Sequence, residues 1–204
     1  MQNFLSTENK PYRFMMKLYQ LIVLNLMFLI SCLPVFTIGA ALTAMYAVTL
    51  KMIEDKEENL LQTYLMRFKK EFRQSTFIWL TYSGIFIVFA FIYPTLRQIF
   101  QMNIILFYLF ILIAAIGILT SLYIFPLLAK FENSNLGIIK SAFFLAMKHM
   151  TLSIILFFFF IFFIIFIPVF FPKLLFLSLA LGFSLNAYVS SYIFLFIFNK
   201  YAEK

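Results

Sequence analysis

The stretch that decides the fold is residues 18–50, which read LYQLIVLNLMFLISCLPVFTIGAALTAMYAVTL and contain no charged side chain. A hydrocarbon core of about 30 Å needs about 20 helical residues, so this run is too long for one ordinary crossing and slightly short for two. Near its middle stands Pro34, which lacks a backbone N–H and biases the residue before it away from helix. Thr37 is well placed to cap a new helix. We therefore predict two short helices, 18–33 and 37–53, joined at a proline elbow.

The composition of the whole chain agrees with this interpretation. Of its 204 residues, 64% are hydrophobic and only 12% are charged, and the mean hydropathy is +1.00. Soluble domains have about 45–50% apolar and about 25% charged residues, so a two-domain soluble enzyme, a disordered chain and a disulfide-stapled secreted module are excluded. The predicted fold is all-α: one polytopic helical membrane domain over 1–204 with about six membrane segments. The later segments lie in the uncharged runs 76–96, 98–129, 151–172 and 174–199.

The distribution of basic residues supports six crossings. The net charge is +8, and basic residues concentrate in cytoplasmic loops of membrane proteins. Six crossings with both termini in the cytoplasm leave only Arg97 and Lys173 outside, whereas five crossings place fewer basic residues inside. The predicted organisation is three hairpins and two cytoplasmic connectors: hairpins 18–53, 76–129 and 151–199, with connectors 54–75 and 130–150.

Each connector contains a predicted amphipathic helix. In 60–74, an apolar face lies opposite a basic one at 100° per residue, and the apolar face consists of Leu61, Tyr64, Leu65, Phe68 and Phe72. Such a helix lies in the headgroup plane, and its basic residues face anionic lipid or a cytoplasmic partner. These residues are Arg67, Lys69, Lys70 and Arg73. The segment 135–150 is a weaker copy, and Ser134 is its expected N-cap.

Polar residues inside the predicted spans are amides and hydroxyls, and no Asp, Glu, Lys, Arg or His lies there. Those of most interest are Asn25, Thr43, Tyr46 and Asn186. They are expected to hydrogen-bond across helix interfaces or, alternatively, to line a path for a small polar solute. Pro34, Thr37 and Gly39 form the elbow, and the small residues that follow permit close helix packing.

The sequence lacks the residue patterns of common catalytic and metal sites. It has no Ser-His-Asp set, no Cys-x-x-Cys, no His-Glu-x-x-His and no Walker loop. Cys32 and His149 are the only cysteine and histidine, so an internal disulfide and a multi-histidine metal site are excluded. We therefore expect no catalytic residue, metal or cofactor. Nucleic-acid binding is not expected either, because the positive charge is accounted for by membrane topology.

Several blocks of sequence together resemble a known family. These are 24–41 (LNLMFLISCLPVFTIGAA), 44–48 (AMYAV), 68–76 (FKKEFRQST) and 123–131 (YIFPLLAKF). The first block is similar to the N-terminal signature of the YesL-like family of bacterial integral membrane proteins. The resemblance implies a multi-pass protein in the plasma membrane of a Gram-positive-type bacterium. It supplies no catalytic or binding residue.

The resemblance also suggests a function. Members of the YesL-like family have no assigned biochemical activity but often accompany carbohydrate uptake and sensing systems. The leading hypothesis is therefore a non-enzymatic accessory or regulatory subunit beside a sugar transporter or sensor, in contact with anionic lipid. The alternative is a small permease or channel for an uncharged solute.

Overall fold

The computed structural model describes residues 10–54, 59–100 and 104–202, and within these ranges it is helical without any strand. Six helical stretches are long and apolar enough to cross a membrane, so the predicted all-α polytopic fold is confirmed. The helices are α1 Lys10–Ser31, α2 Ile38–Ile53, α3 Leu60–Phe100, α4 Ile104–Lys130, α5 Asn135–Lys148, α6 Met150–Ile161, α7 Ile167–Phe170 and α8 Leu175–Ala202. A π-helical turn, Phe162–Phe166, joins α6 to α7.

The predicted break at the proline elbow is confirmed. Helix α1 ends at Ser31, a 3₁₀ turn spans Val35–Thr37, and α2 begins at Ile38. Thr37 occupies the N-cap position, but the prediction that its side chain caps α2 is wrong. Its hydroxyl points back across the elbow and donates to the carbonyl oxygens of Ser31 and Pro34. The preceding 3₁₀ turn already satisfies the Ile38 N–H through the Val35 carbonyl, as such turns commonly do at helix ends.

The first connector helix differs from the prediction because it is not a separate element. Residues 60–74 form the beginning of α3, which continues without interruption to Phe100. At 1.5 Å per residue its 41 residues extend about 60 Å, twice the thickness of a hydrocarbon core. The sequence contains neither proline nor glycine between Leu60 and Gly84, so nothing local terminates the helix where the apolar span begins.

The second connector helix is separate, as predicted. Ser134 precedes α5 with an extended backbone, and its hydroxyl accepts a hydrogen bond from the Gly137 N–H at 3.2 Å. This confirms Ser134 as the N-cap. Helix α5 ends at Lys148. The backbone of the next residue, His149, leaves the helical region, and α6 starts at Met150.

The centre of the bundle is α2, which packs most extensively against α3 and also against α8 and α4. In its membrane-spanning part 61% of the residues are buried, whereas only 6% are buried in that of α4. Small side chains allow this close packing: Gly39, Ala40, Ala41, Ala44 and Ala47 are all buried. Gly39 makes the closest approach, because a Cβ at this position would lie 2.5 Å from the Ser75 carbonyl oxygen.

Candidate functional site: the charged end of the bundle

Charged side chains from several helices meet at one end of the bundle. Lys130 is the last residue of α4. Its Nζ lies 3.0 Å from Oε1 of Glu54, the residue that directly follows α2. The same Nζ donates to Asn199 Oδ1 of α8 at 3.4 Å. The ends of α2, α4 and α8 therefore share one side of the molecule.

The start of α3 is joined to the same end. Lys70 forms an ion pair with Glu132 in the turn after α4, and Gln74 Nε2 donates to the Asn133 carbonyl at 2.7 Å. The hydrogen bond from Lys70, together with its charge, lowers the pKa of Glu132, and the more distant Arg67 adds to the effect. The two predicted connectors are thus in direct contact.

The predicted basic face of residues 60–74 is divided by the packing of α3. Lys69 and Arg73 are exposed, while Lys70 pairs with Glu132. Arg67 is half-buried and lies 4.0 Å from the buried carboxylate of Glu71. Arg67 is therefore less exposed than Lys69, Lys70 and Arg73, because the side of α3 that carries it packs into the bundle.

The predicted apolar face of this segment is divided as well. Tyr64 is completely buried, in a cluster with Leu24 of α1 and Val48 of α2. Leu61 and Leu65, by contrast, are about half exposed. The exposed surface of residues 60–74 consequently mixes aliphatic and cationic side chains: Leu61, Leu65 and Met66 lie with Lys69 and Arg73.

Asn25 lies in the interface between α1 and α8 and is completely buried. Its Nδ2 donates to the Leu179 carbonyl at 2.6 Å, and its Oδ1 accepts from the Ser184 N–H at 3.0 Å. One amide therefore contacts two backbone groups of α8 that are five residues apart, which satisfies a polar group that would be costly to leave unpaired in lipid.

The polar residues of α2 also bond to neighbouring helices. Thr43 Oγ1 lies 2.9 Å from Ser75 Oγ of α3. On the side facing α8, the Tyr46 hydroxyl is 3.5 Å from Ser190 Oγ. Thr49 Oγ1 lies 2.8 Å from Ser191 Oγ. These hydroxyl pairs connect α2 to two neighbours through the bundle core.

The four residues of the predicted solute path are not brought together. Asn25 bonds to α8, Thr43 to α3, and Asn186 donates from α8 to the Phe159 carbonyl of α6 at 3.5 Å. Of the four, Tyr46 lines an apolar cavity between α2, α3, α4 and α6. Their hydrogen bonds are directed into helix interfaces rather than into one common passage.

An apolar cavity of about 500 Å³ lies between α2, α3, α4 and α6. On α3 it is lined by Trp79, Tyr82, Ser83 and Phe86, whose spacing places them on one helix face. Tyr46 contributes from α2. The cavity was not predicted from the sequence, although the regular spacing of these larger and polar side chains on α3 was a usable signal.

A second cleft, of about 530 Å³, opens at the charged end between α4, α5 and α8. Its apolar lining includes Phe131, Ile138, Leu145 and Phe198. Polar side chains also line it: Glu132, Asn133, Lys140, Ser141 and Tyr201. The sequence predicted that α5 is amphipathic, but the cleft depends on how α5 packs against two distant helices.

His149 contacts one side of this second cleft. Its Nε2 lies 3.0 Å from the Tyr201 hydroxyl, and the Lys148 ammonium lies 4.8 Å from the centre of the Tyr201 ring. Partial burial and the neighbouring charges of Lys200 and Lys148 lower the pKa of His149. Among the residues that the structure describes, no group of three His, Cys, Asp or Glu side chains is placed to hold a metal ion.

Comparison with known proteins gives one informative match. Neither a curated protein nor a solved structure matches the chain. Residues 21–93, which contain the elbow, α2 and the contact between Gly39 and α3, match the model of a family described as "Protein of unknown function, DUF624". This match relates the N-terminal part of the chain to a domain family of unknown function.

Proposed function

We propose that the chain is a YesL-like protein of the bacterial plasma membrane with both termini in the cytoplasm. In this proposal it is a non-enzymatic accessory or regulatory subunit of a carbohydrate uptake or sensing system. The family match over 21–93 covers the block 24–41 that carries the YesL-like resemblance. The association of that family with carbohydrate systems supplies the kind of partner.

The observation that carries the proposal is the mixed exposed surface at the start of α3. Within the described residues, neither Lys69 nor Arg73 forms an ion pair, and Leu61, Leu65 and Met66 are each about half exposed beside them. Aliphatic side chains interspersed with cations suit the membrane interface, where the cations meet anionic lipid. Met and Arg are also enriched at protein interfaces. This surface is therefore the proposed contact for the partner subunit.

Site-specific crosslinking in cells tests the proposal. A photoreactive residue at position 69 or 73 is expected to crosslink the chain to a transporter or sensor subunit, identified by mass spectrometry. The same residue at Phe91, which is 80% exposed on a distant part of the same helix, is the matched control and should not give that product. Lys69→Gln with Arg73→Gln should lower sugar uptake or sensing. Purification of the chain alone from mild detergent, without any such crosslink, would contradict the proposal.

The second candidate is a small permease or channel for an uncharged solute, and the cavity of about 500 Å³ favours it. Solute flux should then occur in vesicles that contain only this protein. Asn25→Leu should abolish the flux, but it also removes the α1–α8 hydrogen bonds. Tyr82→Phe is a sharper variant because it removes one hydroxyl from the cavity lining and keeps the ring. Flux that is lost in Tyr82→Phe would replace the accessory-subunit proposal.

A further inference from the structure

The cleft at the charged end combines two kinds of surface. Its floor is formed by buried apolar side chains of all three surrounding helices: Leu127 of α4, Ile138 and Leu145 of α5, and Phe198 of α8. Its polar lining residues include Lys140, Ser141 and Asn133. A volume of about 530 Å³ lies within the range of small-molecule sites, about 300–1,000 Å³. The lining therefore suits a ligand with an apolar part and a polar part.

The charge of the polar lining favours an anion. Lys140 is exposed, and it forms no ion pair within the part of the chain that the structure describes. Glu132, the acidic residue of the lining, is paired with Lys70. Among the lining residues, Lys140 therefore carries the charge that is left uncompensated, and Ser141 is the next residue. The Lys148 ammonium, 4.8 Å from the centre of the Tyr201 ring, adds positive charge beside the cleft.

The surroundings of the cleft indicate where the ligand comes from. On α5, Leu136 is 70% exposed, and Phe143 and Phe144 are each about half exposed. An amphipathic helix with exposed large apolar side chains, at the charged end of a bundle of apolar helices, is typical of the membrane interface. The amphiphilic anion that is most abundant at such an interface is an anionic phospholipid.

We propose that this cleft is a binding site for one anionic phospholipid, with its phosphate at Lys140 and an acyl chain against Leu145 and Phe198. Basic clefts between membrane helices are a known way to bind anionic headgroups. The proposal concerns α4, α5 and α8 and does not depend on the partner proposed for α3.

Lipid retention by the full chain tests this site. The purified protein is exchanged into equal amounts of phosphatidylglycerol and phosphatidylcholine with identical acyl chains, and bound lipids are counted by native mass spectrometry. The wild-type chain is expected to retain one phosphatidylglycerol preferentially. Lys140→Gln should reduce the ratio of bound phosphatidylglycerol to phosphatidylcholine about fivefold, the effect expected for one basic residue near an anionic surface. Lys140→Arg keeps the charge and should preserve the preference.

Matched variants distinguish lipid binding in this cleft from general attraction between opposite charges. Lys173→Gln removes the same charge from another exposed lysine, in the turn Pro172–Leu174 before α8, and should leave the ratio unchanged. Ser141→Trp narrows the cleft and should reduce retention of the lipid itself. Glycerol phosphate, which has the headgroup chemistry but no acyl chain, should not displace bound phosphatidylglycerol. Equal ratios in Lys140→Gln and Lys173→Gln, or no preference in the wild-type chain, would overturn the proposal.

Discussion

The helical segments 60–74 and 135–148 share one sequence feature but differ in structure. Each combines apolar residues with basic ones, and each precedes a membrane-spanning run. The first is the beginning of the 41-residue helix α3, whereas the second is the separate 14-residue helix α5. Amphipathic periodicity therefore predicted both helical segments. It did not predict which of them is separated by a break from the membrane-spanning helix that follows.

The difference depends on residues at the helix ends. Ser134 has an extended backbone and caps α5, and the backbone of His149 leaves the helical region where α5 ends. Residues 74–76, Gln-Ser-Thr, contain no proline or glycine, and Ser75 packs against Gly39 of α2. Helix α3 continues past residue 76 because no proline or glycine lies in this stretch and because its contact with α2 stabilises the helical backbone there.

The largest expected effect comes from placing proline in each segment. Arg73→Pro lies inside α3, where it removes a backbone hydrogen bond and clashes with the carbonyl four residues earlier, so we expect a loss of about 3 kcal/mol or more in unfolding free energy. Asn135→Pro lies at the first position of α5, where the N–H is unpaired in any helix, and Ser134 already has the extended backbone that proline requires. We expect this variant to be nearly neutral.

Denaturant unfolding in detergent, followed by circular dichroism, measures both proline variants. Arg73→Gln controls for the loss of charge at an exposed position and should be close to the wild-type chain. Equal losses in Arg73→Pro and Asn135→Pro would show that α3 is interrupted near residue 73, contrary to its continuous helix.

A second prediction concerns the contact that holds the start of α3 against α2. In Gly39→Ala the new Cβ would lie 2.5 Å from the Ser75 carbonyl oxygen and 2.7 Å from the Trp79 Cβ, so the helices must separate. We expect a loss of about 1–3 kcal/mol, the usual cost of overpacking. Gly84→Ala is the matched control because, apart from its chain neighbours and the adjacent helix backbone, nothing lies within 4 Å of its Cβ position. It should be neutral or stabilising by up to about 1 kcal/mol. The same loss in both variants would argue against the close approach at Gly39.

Local chemistry explains which features the sequence could predict. The break at Pro34 and the cap at Ser134 depend on a few adjacent residues, and both are present in the structure. The position of Arg67 depends instead on which side of α3 packs into the bundle. Asn25 was expected to have a partner across a helix interface, but its partners lie more than 150 residues away in α8. The apolar cavity and the cleft at the charged end likewise require contacts among distant helices, which periodicity within one helix does not specify.

A smaller effect is expected at the cap of α5. Ser134→Ala removes the acceptor for the Gly137 N–H and should cost about 1 kcal/mol. Ser134→Asp retains an acceptor and should preserve stability. Hydrogen exchange of the Gly137 amide provides a local measurement: exchange should accelerate in Ser134→Ala and not in Ser134→Asp. Unchanged exchange in Ser134→Ala would mean that the α5 boundary does not depend on this cap.

The smallest expected effect concerns the ion pair that joins the two segments, between Lys70 at the start of α3 and Glu132 before α5. Because the Lys70 hydrogen bond lowers the pKa of Glu132 in the folded chain, this carboxylate stabilises the fold above its ordinary pKa of about 4.3. The stabilisation is lost as the pH falls through the lowered pKa. The wild-type chain should therefore have a slightly higher Tm than Glu132→Gln at pH 7, and the two should converge in acid.

The difference should also shrink at high salt, because both side chains are exposed. A Tm difference that is independent of pH would mean that Glu132 acts through packing, and the two segments would then be held together without this charge pair.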